Sequence, residues 1–317
     1  MDFITLTING KTATVPKGLN LVEAAKRVGI EIPTFCYEKS LPVVSSCRIC
    51  VVEIEGFNKP VTACSTPAQE GMVVYTESEE VVNIRKTILR LMLDNHPSDC
   101  LTCSKNGSCK LQDYSYKYDV KFREHDGARR GSEEADFTDT TSPYILRDES
   151  KCILCGKCVR TCAVVPDRNI LNFGGRGFDT KIIADYDTTL ENSNCVSCNR
   201  CVAECPVGAL VDNRSYRSGR IWELETKSIK CKSCDYGCNM KLLQRDGKTI
   251  AVKAEEPTNG RPLCLKGRLL TELEYIEEPA KPYKKSPSEN GNKFVESSWT
   301  EVLGLGGVLD KLLKLDE

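Results

Sequence analysis

The residues most able to do chemistry in this chain are its cysteines: 19 in 317 residues, beside only 2 histidines. Thiols at that density form disulfides, bind metals or carry redox chemistry. An odd number cannot pair off completely within one chain. The opening MDFITLTINGKTATV alternates like a strand and shows neither a basic, apolar leader nor a twin arginine, so the expected compartment is the reducing cytoplasm. In that compartment thiols ligate metals far more often than they form disulfides.

The spacing of the thiols separates the ligand sets. Cys152, Cys155, Cys158 and Cys162, and then Cys195, Cys198, Cys201 and Cys205, both read C-x2-C-x2-C-x3-C, with Pro206 after the second run. This is the bacterial two-cluster ferredoxin pattern, in which the fourth cysteine of each run ligates the other cluster. It predicts one [4Fe-4S] cube on Cys152, Cys155, Cys158 and Cys205 and another on Cys195, Cys198, Cys201 and Cys162. Val164-Val165-Pro166 stands in place of a proline directly after Cys162, and eight interleaved thiols argue against a pair of structural zinc ions. Cys36, Cys47, Cys50 and Cys64 give C-x10-C-x2-C-x13-C, which spacing leaves open between a two-iron cluster and zinc. His96, Cys100, Cys103 and Cys109 give H-x3-C-x2-C-x5-C, where an imidazole can supply the fourth donor to a cube or to zinc. Cys231, Cys234, Cys238 and Cys264 give C-x2-C-x3-C-x25-C, which a zinc ribbon also matches. His125 has no neighbouring thiol and reads as a surface residue. These sets use every cysteine, so none is left for an active-site metal, and no catalytic residue is expected.

The flanking residues favour clusters by resemblance. IPTFCY and SSCRICVVEIEG resemble the N-terminal [2Fe-2S] domain shared by the large iron-sulfur subunit of respiratory complex I, NAD-linked hydrogenases and formate dehydrogenases. That family usually has a glycine near the second cysteine, where Ser46 stands here. NHPSDCLTCSKNGSCKLQD resembles the same family's [4Fe-4S] site held by one histidine and three cysteines. KCKSCDYGCNMKL and NGRPLCLKGR resemble the [4Fe-4S] domain that begins molybdopterin-dependent oxidoreductases, where a basic residue, Lys266 here, lies between cube and pterin. The resemblance, over residues 1–270, implies one [2Fe-2S] cluster and four [4Fe-4S] clusters.

Such ligands need elements to position them. Residues 3–8 and 12–15 read as strands around Asn9-Gly10, a hairpin signal. Leu21, Ala24, Ala25 and Val28 recur at helical spacing up to Gly29, and residues 48–54 read as another strand. Val81, Ile84, Ile88, Leu91 and Met92 mark one face of a helix over 80–94 that delivers His96. Residues 121–142 show no periodicity and read as an exposed connection. The segment 278–298 reads as extended, and Trp299 to Leu315 as an amphipathic helix. The expected fold class is α+β and modular. A β-grasp [2Fe-2S] ferredoxin-like domain (1–79) precedes a helical, histidine-ligated [4Fe-4S] domain (80–120) and a linker (121–147). A two-[4Fe-4S] bacterial ferredoxin-like domain (148–217), a small β-rich [4Fe-4S] domain of molybdopterin-oxidoreductase type (218–275) and a tail with a terminal helix (276–317) follow.

Composition excludes other classes. Lys and Arg number 44 against 45 Asp and Glu, a net charge of −1, which gives no basic footprint for nucleic acid or a membrane surface. No apolar run reaches the roughly 18 to 20 residues of a bilayer crossing, so direct membrane insertion is not expected. No G-x-G-x-x-G occurs, so flavin and nucleotide sites are expected on partners. SSWTEVLGLGGVLDKLLKLDE resembles the entry to a pterin-binding catalytic domain, and a native subunit shortened there is expected. The resemblance then implies a cytoplasmic, non-catalytic electron-transfer subunit in a hydrogenase or NAD(P)H dehydrogenase complex of anaerobic metabolism. Its implied partners are a flavoprotein NAD(P)H-binding subunit, a thioredoxin-like [2Fe-2S] subunit and a remote module such as the small and large subunits of a [NiFe] hydrogenase. Ferredoxin joins them if the complex performs electron bifurcation. The alternatives are the amino-terminal part of a formate dehydrogenase or of a ferredoxin:NAD(P) transhydrogenase, and a zinc-bound scaffold. Around the cubes, Gly156 is expected to help loop N–H groups offset cluster charge, while Lys157 and Arg200 read as ordinary surface charge.

Overall fold

Asn9 and Gly10, at φ 46° and 77°, turn strand β1 (Phe3–Ile8) directly into β2 (Lys11–Pro16). Positive φ at both positions matches the right-handed twist of the flanking strands. Helix α1 (Leu21–Arg27) is capped by Asn20, whose Oδ1 accepts from the Glu23 N–H at 3.0 Å. Strands β3 (Val51–Ile54), β4 (Val61–Thr62) and β5 (Val73–Tyr75) complete a five-stranded sheet in the order β2-β1-β5-β3-β4. β1 and β5 run parallel and the other neighbours antiparallel. Alternate residues Ile4, Leu6 and Ile8 point to one face and share a core with Leu21, Ala24 and Ala25 of α1. The strand expected at 48–54 starts only at Val51, because Arg48 sits at φ 59° in the loop that presents Cys47 and Cys50.

The structure is a computed structural model and describes residues 2–123, 125, 138–164, 166–232, 235, 237–254, 267, 282–288 and 291–304. Val165, Cys234, Cys264 and Lys266 lie outside these residues, as does most of the expected connection at 121–142 and of the helix expected to Leu315. The chain divides into two compact units, Met1–Arg268 and Leu269–Glu317.

Helix α2 (Glu79–Asp94) starts at Ser78, whose Oγ accepts from the Val81 N–H. Its fully buried positions are Val81, Arg85 and Leu89, so the buried face is rotated from the one its spacing suggests, and Leu91 is 61% exposed. Arg85 explains the rotation. It is 0% exposed, its Nε donates to Ile49 O at 3.1 Å and its Nη2 to Val51 O at 2.8 Å, on either side of Cys50. Nη1 reaches Tyr118 Oη at 2.7 Å and pairs with Glu77 at 3.1 Å. The helix turns this cation inward and leaves a leucine in water. Helix α3 (Lys110–Lys117) follows, with Cys109 at its N-cap.

Strand β6 (Thr138–Asp139) and β7 (Ile145–Asp148) begin the next region, followed by helix α4 (Lys157–Val164), hairpin β8 (Leu171–Gly174) and β9 (Lys181–Ala184), helix α5 (Arg200–Glu204) and β10 (Leu210–Asp212). β7 pairs antiparallel with both β6 and β10. Strands β11 (Glu225–Lys230), β12 (Asn239–Arg245) and β13 (Lys248–Ala254) form an antiparallel meander. In the second unit, β14 (Tyr283–Ser288) pairs with β15 (Gly291–Glu296), so the tail expected to be merely extended is a hairpin, and α6 (Trp299–Val302) gives way to a turn at 303–304 within the stretch expected to be helical. Among the described residues no helix is long and apolar enough to cross a membrane.

Replacing Arg85 by Met strands two loop carbonyls and a half-exposed glutamate. Removing one partner of a buried ionic network costs about 3–5 kcal/mol. The Arg85→Met chain should therefore lose its first-set chromophore at a clearly lower denaturant midpoint than wild type, and an unchanged midpoint would show that the fork adds no stability.

Candidate metal centres

The first set lies in the loop between α1 and β3 and just after β4. Cys36, Cys50 and Cys64 are each 1% exposed and Cys47 is half-buried. The Cys36 N–H points at Cys47 Sγ over 3.5 Å, and Ser45 Oγ lies 3.4 Å from Cys64 Sγ. A side-chain hydrogen bond between the two thiols holds Cys36 below its ordinary thiol value and Cys47 above it. The same sharing lowers Cys64 and raises Cys50. The turn that a glycine would make near the second cysteine is made by Ser45 and Arg48 at φ 52° and 59°. Side chains rarely adopt that region, and the loop holds two of them there.

The second set follows α2. His96 is 8% exposed, and its Nδ1 bonds Pro97 O at 3.0 Å. That contact places the proton on Nδ1 and leaves Nε2 with its lone pair; Nε2 is buried and has no hydrogen-bond partner. Burial lowers the imidazole's proton affinity further, which favours the neutral, ligating form. Cys103 and Cys109 are each 9% exposed and Cys100 is exposed. Arg220 donates to the carbonyls of Cys103 and Leu101, and Arg123 to that of His96, so the backbone of this loop is gripped from outside.

The repeat in the third region is written into the backbone. Leu154 and Ser197, the residues before the second cysteine of each run, sit at φ 53° and 51°. Gly156 and Asn199, the residues after that cysteine, sit at φ 66° and 55°. In both runs the N–H of the residue before the second cysteine donates to the first cysteine's sulfur, Leu154 to Cys152 and Ser197 to Cys195, each at 3.4 Å. The first run leaves β7 and the second run enters β10. Their antiparallel pairing, extended by Asp148 N–H to Ala209 O at 2.8 Å, brings the start of the first run to the end of the second. Burial, then the charges of Cys152, Cys155 and Cys205, pushes Cys158 well above the ordinary thiol value, and burial, then the charges of Cys198, Cys195 and Cys162, raises Cys201. The two crossed quartets expected from the spacing are compatible with these neighbours. A cavity of ≈ 30 Å³ lies among Cys162, Cys195, Cys198 and Cys201.

Cys231 and Cys238 of the fourth set stand where β11 passes into β12, joined by Cys231 N–H to Cys238 O at 2.8 Å. Cys234 and Cys264, with Lys266, are outside the described residues.

The donor chemistry fits iron-sulfur clusters. Burial, then repulsion from neighbouring thiolates, pushes Cys155 up to about 12 and Cys158 well above the ordinary thiol value. Iron bound by such a quartet would remove that penalty, since a coordinated thiol is deprotonated outright. Among the described residues no three His, Cys, Asp or Glu converge on a single-ion position; cluster thiolates bind separate irons and need no such convergence. The reading of Lys157 and Arg200 as surface charge is overturned: they are 5% and 9% exposed. Lys157 Nζ lies 3.0 Å from Glu204 and 3.3 Å from Glu38, whose carboxylates offset its burial. His125 is exposed, as expected. Arg85, Arg160, Arg220 and Lys151 are invisible to cysteine spacing. The helical phase of Lys157 and Arg160, one turn apart between ligands, is the signal that could have exposed two of the cations.

Gly208 lies against the second set. A Cβ there would come within 2.8 Å of Cys103 Sγ and 3.3 Å of Lys151. A ligating sulfur cannot swing aside, so Gly208→Ala should cost about four iron atoms per chain while the two-iron spectrum persists. Full iron content and an unaltered spectrum would count against a ligand role for Cys103.

Comparison with known proteins follows the same order of modules. Residues 2–79 match the 2Fe-2S iron-sulfur cluster binding domain, 85–124 the NADH-ubiquinone oxidoreductase-G iron-sulfur binding region, 151–209 the 4Fe-4S dicluster domain and 223–275 the molybdopterin oxidoreductase Fe4S4 domain. The NADPH-Fe(3+) oxidoreductase subunit alpha of Geobacter sulfurreducens is 36% identical over 95% of this chain and 34% of its own length. The NADP-reducing hydrogenase subunit HndD of Solidesulfovibrio fructosivorans is 38% identical over 71% of this chain and 38% of its own length. The chain thus spans about a third of the length of the curated relatives it matches. A chain in the crystal structure of an NAD+-reducing [NiFe]-hydrogenase in the H2-reduced state superposes with a TM-score of 0.62 at 29% identity, covering 69% of this chain and 91% of that one. With one 2Fe-2S module followed by several 4Fe-4S modules, the chain is an iron-sulfur subunit of the family that includes the NADH-ubiquinone oxidoreductase 75 kDa subunit of Reclinomonas americana and the iron-sulfur subunits of NAD(P)-linked hydrogenases.

Proposed function

We propose that the chain relays electrons through one [2Fe-2S] and four [4Fe-4S] clusters, held by the five ligand sets described, between a flavoprotein that handles NAD(H) or NADP(H) and a remote redox module in a cytoplasmic complex. A [NiFe] hydrogenase is the module that the superposed hydrogenase chain supports. A thioredoxin-like [2Fe-2S] subunit on the flavin side, and ferredoxin as a further partner in bifurcation, complete the proposal.

The observation that carries this reading is that the ligand loops are bonded to one another. Helix α4 holds Cys158 and Cys162, which belong to different quartets. Its Lys157 pairs with Glu38, two residues after Cys36. Lys151, beside Cys152, pairs with Asp99, beside Cys100, at 3.1 Å, and the Lys110 N–H, beside Cys109, donates to Pro206 O, beside Cys205, at 2.9 Å. Independent structural zinc sites have no use for such links, whereas a relay requires its carriers at fixed separations. Bound clusters supply one-electron carriers whose potentials depend on charge, burial and hydrogen bonds to sulfur. The chain's own part is to hold them. Leu154 and Ser197 donate N–H groups to sulfur, Lys157 and Arg200 bring buried positive charge beside the quartets, and Pro97 O fixes the His96 tautomer.

The match of residues 223–275 to the molybdopterin oxidoreductase Fe4S4 domain favours a second reading, the amino-terminal electron-transfer part of a formate dehydrogenase. Metals decide between the readings. Anaerobically purified chain should carry about 18 iron atoms with matching acid-labile sulfide, and the native complex should contain nickel. Molybdenum in place of nickel would favour the second reading, and a colourless, zinc-rich chain would overturn both.

A further inference from the structure

Arg160 sits half-buried on α4, between Cys158 and Cys162, and does more than neutralise a surface. Its Nη2 donates to Cys36 O at 2.5 Å and to Cys155 O at 3.4 Å, and its Nη1 to Pro42 O at 2.6 Å. Nε closes the fork on Gly156 O at 3.2 Å. One planar guanidinium therefore touches the main chain of a ligand from the first set and a ligand from the first cube. Three features make this a built junction. The arginine fork presents several fixed donors at once, which an ammonium cannot do. Gly156 holds φ 66°, and a Cβ there would meet Phe173 at 2.9 Å, so the carbonyl that receives Nε is fixed in place. Lys157, one turn earlier, adds a second cation to the same contact through Glu38.

We propose that Arg160 is a positioning residue that electrically couples the two-iron cluster to the cube of Cys152, Cys155, Cys158 and Cys205, its guanidinium fastening the two ligand loops together and stabilising an added electron on either cluster. The proposal rests on the iron-sulfur reading above and adds to it a specific pair of clusters and the residue that joins them. Each reduction adds one negative charge to a cluster, with no bond made or broken at Arg160. A fixed positive charge shared by both loops stabilises both reduced states, and its removal affects those two clusters and spares the rest.

The test is a redox titration of the loaded, full-length chain followed by electron paramagnetic resonance. In Arg160→Gln the two-iron midpoint and one four-iron midpoint should both move to more negative potential, the other cubes holding their wild-type values. Two unmoved midpoints at full iron content overturn the proposal, and so does an equal shift of every cluster, which would mark general loosening. If that variant does not load iron, Arg160→Lys decides. An ammonium reaches one carbonyl at a time, so the two midpoints should separate from their wild-type spacing, and unchanged spacing overturns the coupling. A wild-type chain without cluster signals would instead fail the underlying reading, an outcome distinct from all of these.

Discussion

Thiols packed together and shut away from water resist ionisation, yet only as thiolates can they hold a metal, and the first unit is organised around that conflict. Cys109, Cys155, Cys158 and Cys201 are members of one buried apolar cluster, and Cys50 of another. The elements around them are short: β4 and β6 have two residues each, β10 three and α5 five. Elements of that size bury too little apolar surface to stand alone. A cluster bonded to four thiolates would supply both the missing core and the positive charge that makes the burial tolerable, and would make folding and metal binding one equilibrium.

Holding such a centre requires backbone in conformations that ordinary elements avoid. The chain meets this by placing Ser45, Arg48, Leu154, Ser197 and Asn199 in the left-handed region, where Leu154 and Ser197 each turn an N–H toward a sulfur. Strain of that kind persists only where the surroundings over-determine it. The surroundings here are guanidinium forks. Arg85 grips the carbonyls beside Cys50, Arg160 those of Cys36 and Cys155, and Arg220 those of Leu101 and Cys103. The same cations lie near centres that become more negative on reduction, so the device that fixes the loops also acts on the potentials.

The candidate ligands are legible in the amino-acid sequence because their spacing is itself a geometric pattern. In the third region C-x2-C closes around one left-handed residue, and the repeat at 152–162 and 195–205 reappears as matching φ values and matching N–H to sulfur bonds. What holds the ligands is not legible. By helical phase Leu91 belongs to the core and Arg85 to the surface, and the structure exchanges them, since two unpaired carbonyls flanking Cys50 outweigh one leucine. Lys157 reads as surface because its counter-charges, Glu38 and Glu204, are distant in sequence. The tail around 283–296 reads as extended because Pro and Lys are poor strand formers, yet its two halves pair residue for residue. In each case the deciding partner lies outside any local window.

Helix α4 shows how little scaffold a relay needs. Cys158 and Cys162 are four residues apart and lie on one face, separated by about 6 Å of helix rise. The separation of these two thiols is thereby set by a single turn rather than by packing that can drift. Arg160 lies two residues from either cysteine, about 200° around the helix, and turns toward the loop of Cys36. The same eight residues therefore present two thiols on one side and meet the loop of Cys36 on the other. A rigid helical turn is a ruler whose length is indifferent to redox state, which suits the proposed passage of electrons without a change of shape.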